Sequence, residues 1–386
     1  MKPVPEEFDT IRSFDDCDLQ RILPLLFDDP QFCALLHTLF PQTDEEALKK
    51  AAFQCETILD LQKRFLYPFV QNIIQTESAG AVFDTSNIPD KQCPYTFISN
   101  HRDIVLDPAL LCFLLIDNGF PNTAEIAIGD NLLVYDWIKN IVRLNRAFIV
   151  QRSLGMREML LASRCLSAYM HYVITQKRHC IWIAQREGRA KDSSDHTQES
   201  VLKMMALGGP TDPTDALREM NIVPLTLSYE YDPCDYLKAA EFQLKRDNPN
   251  YVKSQQDDLQ NMQTGIQGKK GRICFKAGRP LNFYLERNPQ IERATLFNQV
   301  AGYLDKEIHT NYTLFPGNYI AADMLSSASA HADCYNEQDQ QVFAKYLKGQ
   351  LEKITLPQPD TDYLTERILT MYANPVFNKE RATDVL

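Results

Sequence analysis

The stretch Tyr95–Ile116, YTFISNHRDIVLDPALLCFLLI, contains the features that decide the fold of this chain. Its first five residues are mostly β-branched or aromatic and follow Pro94, a pattern typical of a buried strand. Asp is a favoured N-cap and Pro favours the first helical position, so we expect an apolar helix to begin at Asp107-Pro108. His101 therefore lies where a strand ends, and Asp107 lies where the next helix begins.

A short loop between these two positions can bring the two side chains together. An imidazole whose second nitrogen is held by a carboxylate is an oriented general base, which takes a proton from a hydroxyl as that hydroxyl attacks an acyl carbon. Asp107 is one candidate partner for His101, and Asp103, two residues away, is the other. An alternative interpretation is that His101 is a structural residue before a helix.

The sequence around this stretch alternates between short apolar runs and helical patterns. Runs typical of strands occur at 125–129, 147–151, 180–184, 222–228 and 272–276, and helical patterns separate several of them. Such alternation predicts an α/β domain with a mixed, largely parallel sheet flanked by helices. Functional side chains are then expected beside the carboxyl ends of the strands.

Helical patterns without strands flank this domain on both sides. We expect an N-terminal helical region over 1–78, the α/β domain over 79–310 and a C-terminal helical extension over 311–386. One stripe of the N-terminal region, from Ile58 to Ile74, is apolar at helical spacing. Packing against the α/β domain is the favoured interpretation of that stripe, and docking on a membrane is the alternative.

The composition narrows the classes of function. The formal net charge of −11, from 40 basic and 51 acidic residues, argues against a nucleic-acid partner. No apolar run reaches the roughly 18–20 residues of a membrane span, and the N-terminus lacks the apolar core of a signal peptide, so a cytoplasmic protein is expected. The ten cysteines form no C-x-x-C pair, so neither a disulfide framework nor a zinc site is expected.

Three further blocks follow the histidine along the chain. In FIVQRS (148–153), Arg152 directly follows a predicted strand. In AQREGRAK (184–191), Glu187, Gly188 and Arg189 follow the next predicted strand. The third block, Ile222–Leu225, is a strand that enters a proline. Taken singly, Arg152 and Arg189 are better explained as surface ion-pair residues and Glu187-Gly188 as a turn, and only their order along the chain favours a functional role.

In this order the blocks resemble the glycerolipid (1-acylglycerol-3-phosphate or glycerol-3-phosphate) O-acyltransferase family. Its signature is Asn-His, four residues, then Asp, often followed by Pro. This chain has Asn100-His101 and Asp107-Pro108 with five residues between His and Asp, and in the later block Arg189 follows Gly188 directly. The resemblance covers roughly residues 80–300 and implies a divergent, bacterial-type member of the family, with the family's α/β fold.

The resemblance also implies a reaction. His101, oriented by Asp107 or Asp103, activates the hydroxyl of 1-acylglycerol 3-phosphate, and Arg152, Glu187, Gly188 and Arg189 form the phosphate-binding site. The acyl donor is acyl-CoA or an acyl carrier protein thioester, with no metal or other cofactor. The partners are then this thioester, a lysophospholipid acceptor and a membrane surface, and the protein associates peripherally with the inner face of the membrane.

Several alternatives stay open at this point. Glycerol 3-phosphate is the second candidate acceptor and a lyso-aminolipid the third, whereas a lipid-binding scaffold with an inactive acyltransferase fold is the alternative that is not an enzyme. A cluster of five basic residues around one strand is a candidate contact for coenzyme A phosphates, an acidic carrier protein or anionic lipid, or else a solvated hairpin. Its members are Lys269, Lys270, Arg272, Lys276 and Arg279.

Overall fold

A mixed sheet lies at the centre of the computed structural model, which describes residues 4–152, 154–327 and 329–384. Within these ranges seven strands form the sheet in the order β1-β7-β6-β2-β5-β3-β4. They are β1 (Ala81–Asp84), β2 (Thr96–Ser99), β3 (Glu125–Gly129), β4 (Ala147–Val150), β5 (Ile181–Ala184), β6 (Ile222–Tyr229) and β7 (Ile273–Ala277). The predicted fold class, a mixed and largely parallel sheet flanked by helices, is confirmed.

Five neighbouring strands run in the same direction, and two run against them. Strands β6, β2, β5, β3 and β4 pair in parallel, whereas β7 is antiparallel to β6 and carries β1 in parallel with itself. The carboxyl ends of the five parallel strands therefore meet at one edge of the sheet. His101 follows β2, Arg152 follows β4 and Glu187 follows β5 at that edge.

Helices cover both faces of the sheet, and further helices precede its first strand and follow its last strand in the chain. They are α1 (Leu19–Phe27), α2 (Pro30–Leu39), α3 (Glu45–Phe53), α4 (Ile58–Leu61), α5 (Tyr67–Glu77), α6 (Leu106–Asp117), α7 (Asp136–Leu144), α8 (Met156–Tyr172), α9 (Glu199–Met205), α10 (Pro213–Glu219), α11 (Asp235–Asp247), α12 (Gln255–Gln267), α13 (Leu281–Arg287), α14 (Leu296–Thr310), α15 (Pro316–Ser326), α16 (Glu337–Leu351) and α17 (Thr361–Thr383). No helix in the described ranges is both long and apolar enough to cross a membrane.

Strand β2 is buried along its whole length because core layers lie on both of its faces. Phe97 contributes to the layer that contains α5 and α6, and Ile98 contributes to the layer that contains α8 and α14. Alternate residues of a strand point to opposite faces, so a strand buried on both sides is continuously apolar. The central position of β2 fixes the loop that carries His101.

The apolar stripe of the N-terminal helices is buried. Ile58 packs in a cluster with α1, α2 and α7, and Val70 and Ile73 pack in the core layer beside α6. The three side chains are 1%, 0% and 4% exposed. The structure therefore agrees with packing as the interpretation of this stripe.

The C-terminal helices pack on α11 and on each other. Ala239 of α11 lies in one apolar cluster with Ile320 of α15, Phe343 of α16 and Ile368 of α17. The helical pattern of the sequence over 362–372 belongs to α17, which continues to Thr383. Helix α17 also reaches the turn after β6, where the Tyr372 hydroxyl accepts the N–H of Asp232 at 3.0 Å.

Candidate functional site

His101 and Asp107 form a hydrogen-bonded pair at the carboxyl end of β2. The distance from His101 Nδ1 to Asp107 Oδ2 is 2.6 Å. The Asp107 side chain is fully buried, whereas 14% of the His101 side chain is exposed. Since Nδ1 is occupied by the carboxylate, Nε2 is the ring nitrogen that remains available to a substrate.

Asp107 is held from several directions. Its Oδ2 also accepts hydrogen bonds from the backbone N–H groups of Arg102 at 2.6 Å and Asp103 at 3.1 Å, and Tyr229 donates its hydroxyl to Oδ1 at 2.8 Å. Burial raises the pKa of Asp107, but the bonds from His101 and these N–H groups outweigh burial and lower that pKa below its ordinary value. The carboxylate is therefore charged and fixed in place.

The prediction that Asp107 is the N-cap of its helix was wrong. Helix α6 begins at Leu106, so Asp107 lies within its first turn. Asp103 binds the helix terminus instead, since its Oδ1 accepts the N–H groups of Val105 at 2.9 Å and Leu106 at 2.8 Å. Of the two candidate partners for His101, the structure thus pairs Asp107 with the imidazole and gives Asp103 to the helix.

Asp103 is buried beside the charged Asp107, and both effects raise its pKa. Helix α12 closes this side of the loop, because a Cβ at Gly265 would lie 2.0 Å from Asp103 Oδ2. Only glycine fits at that position of α12. The polar, Gln/Asp/Asn-rich composition of 242–268 predicts an exposed helical excursion, but α12 within this segment packs directly on the loop of His101.

Two neighbours fix the strand end and the ring itself. Asn100 exchanges two hydrogen bonds with the backbone of Leu227, at 2.9 and 2.8 Å, which locks the end of β2 to β6. Trp182 packs edge-on against the His101 ring with centroids 5.4 Å apart, and its Nε1 donates to Ser99 Oγ at 2.9 Å. Trp182 and Tyr229 were not predicted as site residues, because nothing in their local sequence indicates contact with His101 or Asp107.

Arg102 ties the loop to distant parts of the chain. Its guanidinium makes two bonds to the Asp195 carboxylate, at 2.8 and 2.5 Å, and its carbonyl accepts a bond from Lys238 Nζ at 3.0 Å. Tyr312 also donates its hydroxyl to Asp195. Asp195 comes shortly before α9, where an aspartate commonly caps a helix, but the structure buries it completely as the partner of Arg102.

A cavity of about 610 Å³ opens in front of His101. All four residues predicted to bind phosphate, Arg152, Glu187, Gly188 and Arg189, line it together with His101. Gly188 has φ of +68°, a conformation that side chains other than glycine rarely adopt. Ser153, the last residue of the FIVQRS block, lies outside the described residues.

The polar contacts of the predicted residues are few. Arg152 Nη1 lies 3.5 Å from Glu187 Oε1, and both side chains are largely exposed. Arg189 Nη2 donates to Asn261 Oδ1 of α12 at 3.3 Å. These contacts place Glu187 beside Arg152, and most guanidinium donors of Arg152 and Arg189 have no protein partner among the described residues.

Three cations that were not predicted as site residues also line the cavity: Arg186, Lys191 and Lys253. The Nε of Arg186 is buried without a hydrogen-bond partner among the described residues. Lys191 pairs with Glu241, and burial lowers its pKa to about 8. Arg186 and Lys191 belong to the same block as Glu187, whereas Lys253 comes from the polar segment before α12, where composition alone indicates only a solvated helix.

Apolar side chains form much of the rest of the cavity wall. They come from β3, β4, α8 and α9 and include Ile126, Ile128, Ile149, Met159, Leu166 and Met204. The cavity thus joins a cationic region to an apolar one, with His101 on its wall. Such an arrangement can hold a molecule that is anionic at one end and apolar at the other.

The basic cluster around β7 does not line this cavity. Arg272 pairs with Glu230 at 2.7 Å, Arg279 with Glu307 at 3.0 Å, Lys269 with Glu77 at 3.1 Å and Lys276 with Asp84 at 3.6 Å. Lys270 is buried and donates to the Ile266 carbonyl at 3.0 Å. Four of the five members of this basic cluster therefore pair with carboxylates, and Lys270 binds backbone carbonyls.

Comparison with known proteins identifies no family for this chain. No family model matches the chain, and no curated protein matches it in sequence. Among solved structures, the 1-acyl-sn-glycerophosphate (LPA) acyltransferase PlsC from Thermotoga maritima is similar with a TM-score of 0.36 and 12% identity, over 75% of this chain and 94% of that one. At these values the similarity assigns neither family nor function, so any functional conclusion rests on the geometry of the site.

Proposed function

We propose that this protein is an O-acyltransferase that moves a fatty acyl group from an acyl thioester to the hydroxyl of 1-acylglycerol 3-phosphate. The observation that supports this most is the position of the His101–Asp107 pair on the wall of a cavity that is cationic in one region and apolar in another. A lysophospholipid has the same division, since it carries a phosphate at one end and a chain at the other.

The reaction needs one general base and one leaving group, the thiolate of the acyl donor. His101 Nε2 takes the proton of the acceptor hydroxyl as its oxygen attacks the thioester carbonyl carbon. A tetrahedral intermediate forms, the carbon–sulfur bond breaks, and the thiolate leaves with the proton that His101 had taken. Asp107, charged and fixed by four donors, stabilises the imidazolium that exists between these two proton transfers.

The cationic region holds the phosphate of the acceptor. Arg152 and Arg189 offer guanidinium donors to the phosphate oxygens, and the bare backbone at Gly188 allows the ligand to come close. Glu187, beside Arg152, cannot bind phosphate and instead orients that arginine or accepts a glycerol hydroxyl. The chains of donor and acceptor then lie along the apolar walls.

The test is acyl transfer from palmitoyl-CoA and from palmitoyl carrier protein, each offered 1-acylglycerol 3-phosphate, glycerol 3-phosphate and a lyso-aminolipid. The expected product is phosphatidate, with thiol release that depends on the acceptor. His101→Ala should reduce the rate by about 10²–10⁴. His196→Ala is the matched control, because that imidazole is 64% exposed and pairs only with Asp305 at 3.5 Å among the described residues.

Each other outcome points to a stated alternative. Product with glycerol 3-phosphate or the lyso-aminolipid alone would keep the reaction and change the acceptor. Thiol release without any acceptor would identify a hydrolase. No product with any donor and acceptor would contradict the proposal and favour a lipid-binding scaffold. Full activity in His101→Ala would contradict the role of His101 as the general base.

A further inference from the structure

Helix α8 has two different long faces. Met159, Ala162, Ser163 and Leu166 line the cavity from one of them. The residues Arg157, Leu160, Leu161 and Arg164 recur at the i, i+3, i+4, i+7 spacing of a second stripe, which we call the outer face of α8. All four are exposed.

The two leucines of the outer face are unusually exposed for their size. Leu160 is 52% exposed and Leu161 is 67% exposed. Leucine is among the residues most often buried, and a contiguous exposed apolar patch marks a surface that binds another body. Arg157 and Arg164 lie one helical turn before and after the leucine pair, so the outer face of α8 also carries two positive charges.

Exposed apolar side chains also occur next to the other cavity-lining segments. Val134 (45%) and Tyr135 (49%) follow Leu132, which lines the cavity. Val252 (83%) and Leu259 (49%) adjoin Lys253 and Asp258, which line it as well. Three separate segments around one cavity therefore carry apolar side chains that the protein itself leaves uncovered.

We propose that the outer face of α8, with Val134, Tyr135, Val252 and Leu259, inserts into the surface of a lipid bilayer that contains anionic lipids. Apolar side chains at an interface insert among the acyl chains, while arginines at their edge bind lipid phosphates. A bilayer fits better than an acidic protein, because the apolar side chains outnumber the two flanking arginines and come from three segments.

This inference rests on the proposed function in one respect, namely that the acceptor is a lipid. A cavity whose rim lies on the bilayer receives a lysophospholipid from it without passage of the chain through water. The N-terminal apolar stripe cannot serve in this way, since Ile58, Val70 and Ile73 are buried in the core.

The experiment is co-sedimentation of the full chain with phosphatidylcholine vesicles, with and without phosphatidylglycerol, and no substrate present. The wild type should bind, more tightly with phosphatidylglycerol. Leu160→Asp combined with Leu161→Asp should weaken binding at least about tenfold. Val342→Asp is the matched control, because Val342 is 49% exposed on α16, away from the cavity, and its replacement should leave binding unchanged.

Arg157→Gln combined with Arg164→Gln should reduce only the preference for phosphatidylglycerol, by about fivefold for each arginine. The leucine variant should keep wild-type transfer to a short-chain, water-soluble acceptor and lose transfer to an acceptor embedded in vesicles. Vesicle binding is measured without catalysis, so failure of docking can be distinguished from failure of the proposed reaction.

Four results would overturn the inference. One is a wild type that stays in solution with either vesicle, and another is a leucine variant that sediments as well as Val342→Asp. The third is loss of self-association in the leucine variant by light scattering, with vesicle binding unchanged, which would make this face an interface between copies. Binding to acyl carrier protein that depends on the leucines, with no vesicle binding, would also replace the bilayer by an acidic protein.

Discussion

Replacement of Asp107 by asparagine tests the paired imidazole most directly. Asp107 Oδ2 accepts from His101 and from the N–H groups of Arg102 and Asp103, while Oδ1 accepts from Tyr229. In Asp107→Asn the amide oxygen can keep the first three donors and the NH₂ group can face Tyr229, whose hydroxyl then accepts. The loop keeps its hydrogen bonds, but the imidazolium loses the negative charge that stabilises it.

We therefore expect kcat to fall by about 10²–10⁴, which is about 2.7–5.4 kcal/mol in the barrier. The free energy of unfolding should fall less, by about 1–3 kcal/mol, because charge-assisted bonds become neutral ones. KM for the acceptor should change little, since Asp107 lies behind His101 and is fully buried. Acceptor-dependent thiol release and thermal unfolding measure the two effects separately.

Asp103→Asn is the matched control. It lies four residues away, is also buried and also accepts backbone N–H groups, but it does not hold the imidazole. Asparagine serves nearly as well as aspartate at a helix terminus, so activity should stay within about twofold of the wild type. Equal losses in both variants, or full activity in Asp107→Asn, would refute the assignment of Asp107 as the residue that orients His101.

Two further predictions concern Tyr229, which holds Asp107, and Lys191, which lines the cavity. Tyr229→Phe removes the donor to Asp107 Oδ1, so we expect kcat to fall about three- to tenfold with KM unchanged and the pH–rate profile to shift, as measured by steady-state kinetics. Burial lowers the pKa of Lys191 to about 8, so its ammonium is charged at neutral pH and loses its proton as pH rises through that value. KM for the anionic acceptor should then rise above pH 8 in the wild type and stay flat in Lys191→Arg; a wild-type KM without this rise would contradict a role of Lys191 in binding.

The elements around His101 could be predicted from sequence because their signals are local. The strand predicted over 125–129 has the observed bounds, and the strand over 222–228 is one residue short. Continuous β-branched and aromatic runs between helical patterns leave few alternatives for these segments. The order of His101, Arg152 and Glu187 at successive strand ends also predicted that they lie at one edge of the sheet.

Other features depend on tertiary contacts that no local pattern encodes. Strand β1 has only four residues and pairs with β7, far along the chain, so it was not predicted. Asp107 looked like an N-cap because Asp-Pro is a strong local signal, but Asp103 occupies the helix terminus in the folded chain. The polar composition of α12 indicated a solvated helix, whereas Asn261 and Gly265 are buried against Arg189 and Asp103.

The loop of His101 is anchored by residues that the ribosome adds long after it. The Arg102 guanidinium pairs with Asp195, 93 residues later, and the Arg102 carbonyl accepts a hydrogen bond from Lys238, 136 residues later. Tyr372 in turn binds the N–H of Asp232, which pairs with Lys238. Contacts between such distant residues form late, because the intervening chain must first be ordered. A growing chain therefore pairs strand β2 with β5 and β6, and anchors the loop of His101, only after these later segments have been made.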